Sequence, residues 1–136
     1  MLTPDHFNQR GADHLPGYLG IVITHVGKLE VRSELPVRRE LMAPNGFLHA
    51  GTVLTLADTT CGFGCLANLP EGATNFTTVE LKSNFLRTAT EGAIRCVGTL
   101  VHGGRTTQVW DATVFNPQQQ PMALFRCTQM ILYSKE

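Results

Sequence analysis

Residues 49–68 are apolar nearly all round, carrying Val53, Leu54, Leu56, Ala57, Cys61, Phe63, Cys65, Leu66 and Ala67, yet Asp58 sits in their middle. An ionised carboxylate buried without a partner is costly, and its pKa rises until it neutralises. Asp58 therefore either accepts hydrogen bonds from backbone or from hydroxyls such as those of Thr59 and Thr60, or is held in a cleft as a base or nucleophile. His49 opens the same run, nine positions earlier. If a helix starts there, the N–H groups near Ala50 and Gly51 have no partners within it. Those donors and the helix dipole suit an oxyanion developing on a carbonyl. One end would polarise a carbonyl and the carboxylate would drive water onto it, which is acyl-transfer chemistry. The bland reading of His49 is a capping or packing histidine.

The run 49–68 is long enough to span a bilayer, but a charge at the bilayer centre is costly, and no second span follows. A helix apolar all round can equally be buried within a globular fold, and that is the reading taken. Gly62 and Gly64 lower its helix propensity, so they read as places where neighbouring structure comes close. On one straight helix, nine residues put His49 and Asp58 about half a turn out of phase and about 13 Å apart along the axis. They cannot then serve one reacting atom within one chain. They could do so across a two-fold axis, where an isologous dimer makes two identical sites.

The remaining elements read mostly as strands. Thr3 and Pro4 predict a short N-terminal helix over residues 3–11, as N-cap and first-turn proline. Strands are predicted at 17–26 and 28–37 around a turn at Gly27, the second alternating Leu29, Val31, Ser33 and Leu35 against charged residues. After the Pro70-Glu71-Gly72 break come strands at 77–86, 93–102, 105–116 and 122–133, with Gly103-Gly104 as a tight hairpin turn. Gln118-Gln119-Gln120 between Pro117 and Pro121 reads as a turn. The last strand is apolar enough to be covered on both faces, and the short connections favour antiparallel neighbours. The expected fold class is α+β: a curved antiparallel sheet wrapped around one long central helix, in a single domain spanning residues 1–136.

Composition limits the partners. Hydrophobic residues are 43% and charged residues 16% of the 136, so a sizeable core is expected and disorder is not. Lys plus Arg equal Asp plus Glu at 11 each, which leaves no cationic footprint for nucleic acid and no charge repulsion against self-association. The start of the chain lacks an apolar export signal, which makes the cytoplasm the expected compartment. Cys61, Cys65, Cys96 and Cys127 then read as reduced thiols in apolar settings rather than as metal ligands, and no metal is expected.

The stretch Asn45-Gly46-Phe47-Leu48-His49-Ala50-Gly51, followed by Leu56-Ala57-Asp58, resembles the PaaI-like branch of the hotdog-fold acyl-CoA thioesterases. That family carries Gly-x-x-His-Gly-Gly running into its central helix, with an acid nine positions after the His. Its next strand resembles Thr77 to Arg87, above all Asn84-Phe85-Leu86-Arg87, and Gly104-Arg105-Thr106 resembles a later segment on its CoA side. The resemblance implies hydrolysis of an acyl-CoA or aryl-CoA thioester by a homodimer or homotetramer, with CoA as part of the substrate and no other cofactor. By position, Asp58 becomes the catalytic carboxylate, the Ala50 N–H the oxyanion donor, and His49 a residue that places the thioester. Thr78 aligns with a hydroxyl residue that positions the water in some members. Gly51, Asn84, Phe85, Arg87, Arg105 and Thr106 become substrate or CoA contacts. The family usually has Gly at position 50, and Asn or Gln six residues before the His, where this chain has Ala43; Asn45 is the candidate substitute, and otherwise a turn residue. Two alternatives share the fold: an acyl-thioester hydratase or dehydratase, although no His-Phe-Pro-type motif is present, and a non-catalytic acyl-CoA-binding module. Fold decides none of this.

Overall fold

The computed structural model describes residues 2–135. Its centre is α3, Ala50–Ala67, with His49 as N-cap and Asn68 as C-cap, the helix predicted over 49–68. Around it curves one antiparallel sheet of β1 (Val22–Val26), β2 (Glu30–Pro36), β3 (Ala73–Phe85), β4 (Ala93–Gly103), β5 (Thr107–Phe115) and β6 (Pro121–Tyr133). The strand order is β1-β2-β4-β5-β6-β3. Strand alternation explains the packing: β5 buries Gln108, Trp110, Ala112 and Val114 on one face, β2 buries Val31, Ser33 and Leu35, and α3 covers these with Leu56, Ala57 and Cys61. All four cysteines are buried and unpaired. Among the described residues no helix is long and apolar enough to cross a membrane.

The α3 glycines are contact points. A Cβ on Gly64 would stand 2.6 Å from the Trp110 ring, and one on Gly62 would stand 3.1 Å from the tip of Phe76. Trp110 is fully buried and its Nε1–H donates to Gln108 at 2.8 Å. The ring cannot easily retreat, so Gly64 is what lets α3 lie this close to the sheet.

Four expectations are corrected. Residues 17–26 are not one strand: α2, Leu15–Leu19, takes the first part, begun by Pro16 in its first turn and ended by Gly20 at φ 92°, and β1 starts only at Val22. Strand β3 begins at Ala73 rather than Thr77, because its register with β6 carries it back to the pair Ala73–Tyr133. The short link from β3 to β4 does not join neighbours; β3 pairs with β6 at the far edge of the sheet. Finally, β6 is covered on one face only, with Leu124, Met130 and Leu132 exposed on the other. The N-terminal helix, α1 (Pro4–Gly11), forms as predicted, with Thr3 Oγ1 accepting from the His6 N–H.

Candidate active site

The start of α3 is held by its approach loop. The His49 N–H donates to Leu41 O at 3.2 Å, the Leu48 N–H to Thr88 Oγ1 at 2.9 Å, and the Thr52 hydroxyl to Leu41 O at 2.9 Å. Gly46 turns the loop at φ 91°, a conformation L side chains rarely adopt. His49 folds back so that its Nδ1 accepts from the Gly51 N–H at 2.8 Å. A neutral His49 bonded this way carries its proton on Nε2. A Cβ on Gly51 would sit 3.0 Å from that Nδ1, so any larger residue there would press on the cap. The cap consumes the Gly51 donor, and the N–H groups of Thr52 and Val53 turn back to His49 O. The exposed Ala50 N–H has no partner among the described residues. The position the resemblance assigns to an oxyanion donor is thus an unpaired one.

Asp58 is half-buried, and its Oδ1 is fully buried with no hydrogen-bond partner among the described residues. Desolvation pushes its pKa above the usual carboxylate range. The Thr60 hydroxyl does not relieve it, because it donates to Leu56 O at 2.7 Å and pairs with Ser33 at 2.6 Å. Asp58 faces a cavity of about 290 Å³ shared with Arg10, Phe63, Leu66, Phe76 and Thr78. Thr59, Gly62, Phe63 and Leu66 follow Asp58 at one, four, five and eight positions, one face of a helix. Phe76 and Thr78 share the inner face of β3, and the ladder breaks register just after Thr78. Such bulges re-aim side chains and gather beside functional sites.

A second cavity, of about 360 Å³, lies at the other end and is lined by Phe47, Ala50, Val53, Phe85, Leu86 and Arg87. The structure therefore brings Ala50, Phe85 and Arg87 together, and separately Asp58 and Thr78, but it does not bring the two groups together in one chain. The reason differs in part from the phase argument. His49 stands outside the helix as its cap, so helical phase does not govern its side chain. The eight-residue axial run from Ala50 to Asp58, about 12 Å, and the distinct cavities keep the groups apart.

The other predicted residues are dispersed. Asn45 is exposed at the loop tip, its Oδ1 accepting from the Phe47 N–H at 3.3 Å, and it lines neither cavity. Asn84 alternates to the outer face, beside Lys82 and Arg126. Arg87 donates to Pro121 O at 2.6 Å at the edge of the Ala50 cavity. Arg105 lies 5.6 Å from the centre of the Tyr133 ring, and Thr106 accepts from the Ile131 N–H in the β4–β5 turn, away from both cavities. Sequence reasoning missed Arg10, Phe63 and Phe76 as cavity residues. The helix stripe from Asp58 and the two-residue spacing from Phe76 to Thr78 were the signals that would have found the last two.

A buried carboxylate and a free helix-start donor on a hotdog sheet define a class, and comparison with known proteins places the chain in it. The model of the thioesterase superfamily matches residues 45–123, and the chain belongs to that superfamily. It is 29% identical over 134 residues to the 1,4-dihydroxy-2-naphthoyl-CoA hydrolase of Escherichia coli K12, covering 96% of each chain. Among solved structures it is similar to a Haemophilus influenzae thioesterase, with TM-score 0.93, 26% identity and coverage of 100% of this chain and 94% of that one. A mutant thioesterase from Pseudomonas aeruginosa shares the fold, with TM-score 0.93, 23% identity and coverage of 98% and 96%.

Proposed function

We propose that the protein hydrolyses an acyl-CoA or aryl-CoA thioester at a site made by two copies of the chain. The observation that carries this is the pair of unmet groups: the Ala50 N–H and the Asp58 Oδ1, one a bare donor at a helix start, the other a bare buried acceptor in the same helix. Their placement in separate cavities supports a shared site, in which Ala50 of one protomer meets Asp58 of the partner subunit. The thioester oxygen takes the Ala50 N–H, assisted by the Nε2–H of His49. Water gives a proton to the carboxylate and attacks the carbonyl carbon. The carbon–sulfur bond then breaks, and the proton passes to the departing thiolate, giving free acid and CoA thiol. Desolvation makes Asp58 a stronger base than an exposed aspartate. The acyl or aryl group takes the cavity walled by Phe63, Leu66 and Phe76, and Arg87 serves the CoA end beside Ala50. The relative that acts on an aryl-CoA thioester supports this substrate class. Four unpaired buried thiols support the cytoplasm as the compartment.

The test is release of free thiol from a panel of acyl- and aryl-CoA thioesters. Asp58→Asn should lower kcat by at least about a hundredfold with little change in KM. Ala50→Pro is the matching change at the other end. It deletes only the bare N–H, at the first helical position where proline is tolerated, after a residue at φ −62° and ψ 131° that suits a following proline. It should lower kcat about 10²–10³-fold. Mixed with subunit exchange, the two dead homodimers should recover about a quarter of wild-type activity, since half the dimers would carry one intact site of two. No recovery despite exchange shown by mass spectrometry would put the whole site in one chain.

A further inference from the structure

Two glutamines are buried side by side on the inner face of the sheet: Gln108 of β5 and Gln129 of β6 are register partners and 1% and 0% exposed. A buried amide has to be hydrogen-bonded, and Gln108 is bonded to the scaffold at both its oxygen and its nitrogen. Its Oε1 accepts from Trp110 at 2.8 Å and its Nε2 donates to Asn68 O, at the end of α3, at 2.8 Å. Gln129 has no such anchor. Its Nε2 reaches only the Cys127 sulfur, at 3.5 Å, a weak acceptor, and its one strong bond is at Oε1, where the Thr78 hydroxyl donates at 2.6 Å. Thr78 and Gln129 are register partners, so the bond is set by the β3–β6 ladder. Of these side chains, only Thr78 lines the Asp58 cavity.

We infer that Gln129 is a positioning residue that fixes the polarity of Thr78. An amide oxygen only accepts, so the Thr78 hydroxyl proton is committed to Gln129. Towards the cavity Thr78 then presents lone pairs alone. A water entering there donates one proton to Thr78 and the other to the Asp58 carboxylate. With both protons held, its lone pair is left for the carbonyl carbon. Without Gln129, the Thr78 hydroxyl is free to donate to the water or to Asp58, and either bond spoils the nucleophile. The inference rests on the hydrolase reading above and adds a residue that touches neither substrate nor water.

The test is a double-mutant cycle on thioester hydrolysis. Gln129→Met removes the acceptor at similar volume, and Thr78→Val removes the hydroxyl at similar shape. Gln129→Met should lower kcat about tenfold with KM changed less than about twofold. In a Thr78→Val background it should cause no further loss, because there is no hydroxyl left to orient. Thr78→Ser should retain the sensitivity to Gln129→Met. Should the Met variant fail to fold, Gln129→Asn withdraws the carbonyl by one methylene, keeps the amide and carries the same expectation. Wild-type kcat in the Gln129 variants, or a loss of equal size with and without the Thr78 hydroxyl, would overturn the inference. Wild-type kcat in Thr78→Val beside a dead Asp58→Asn would overturn it too, while leaving the hydrolase reading standing. An active Asp58→Asn would instead bring down that reading.

Discussion

The sheet has two edges, and they are finished differently. At one, β1 is five residues long, breaks register after Ile23 and lies under α1. Asn8 of that helix acts as a missing neighbour strand: its Oδ1 accepts from the Ile23 N–H at 2.7 Å and its Nδ2 donates to Ile23 O at 3.0 Å. At the other, β3 runs thirteen residues with no strand paired beyond it among the described residues, and Val79, Leu81 and Phe85 are exposed along it. Proteins commonly blunt their free edges, and this one blunts one of two. A long open edge with exposed apolar side chains fits the second chain of the proposed site, and it is the strand that carries Thr78. The closed edge defines the unit that folds; the open edge is where we place the second half of the site.

The sharpest way to break this contrast is Leu81→Lys, a charge on the inner face of the open edge. It should convert the proposed dimer to monomers in analytical ultracentrifugation and lower thiol release at least about a hundredfold, since no proposed site would retain both donor and carboxylate. Full activity in a proven monomer would refute the shared site. Next in size, Asn8→Ala should destabilise the fold by about 2 kcal/mol in denaturant unfolding, by leaving two backbone groups of β1 unpaired. It should leave kcat and dimerisation unchanged, because neither Asn8 nor β1 lines either cavity and β1 lies at the opposite edge of the sheet from β3. The smallest effect sharpens the contrast. The folded-state pKa of Asp58 lies above its unfolded value. Its penalty is therefore absent below the unfolded pKa of about 3.8 and grows as pH rises through the interval up to the folded value. Asp58→Asn should consequently stabilise the protein at neutral pH and leave its stability unchanged at pH 3. The gain should be larger in the dimer than in the Leu81→Lys monomer, if a second chain buries the carboxylate further.

Features that depend on near neighbours in the chain were legible in the sequence. The apolar run around Asp58 marked α3, Thr3 and Pro4 marked α1, and the spacing from His49 to Asp58 forced the question of a second chain. What depends on distant pairing was not legible. Strand β3 lies beside β6 because of a register set by residues some fifty positions away, such as Thr78 with Gln129. Asn8 reads as an ordinary helix-surface residue until Ile23 is seen beneath it, and Gln129 reads as one polar residue in an apolar strand. Residues 17–26 read as one strand from the sequence, although the spacing of Pro16 and Gly20 is that of a one-turn helix. Asn45 illustrates the opposite risk: a nearby carboxamide offered itself for a missing one, and its geometry is that of the turn it sits in.

The burial of all four cysteines has a practical side. Burial pushes the thiols of Cys65 and Cys96 up to about 12, so neither supplies thiolate at neutral pH. The native protein should be silent towards an aromatic disulfide reagent, which can then report released CoA continuously without titrating or poisoning the catalyst. Unfolding would expose four sulfhydryls per chain at once, so the same reagent in denaturant counts the molecules that have opened.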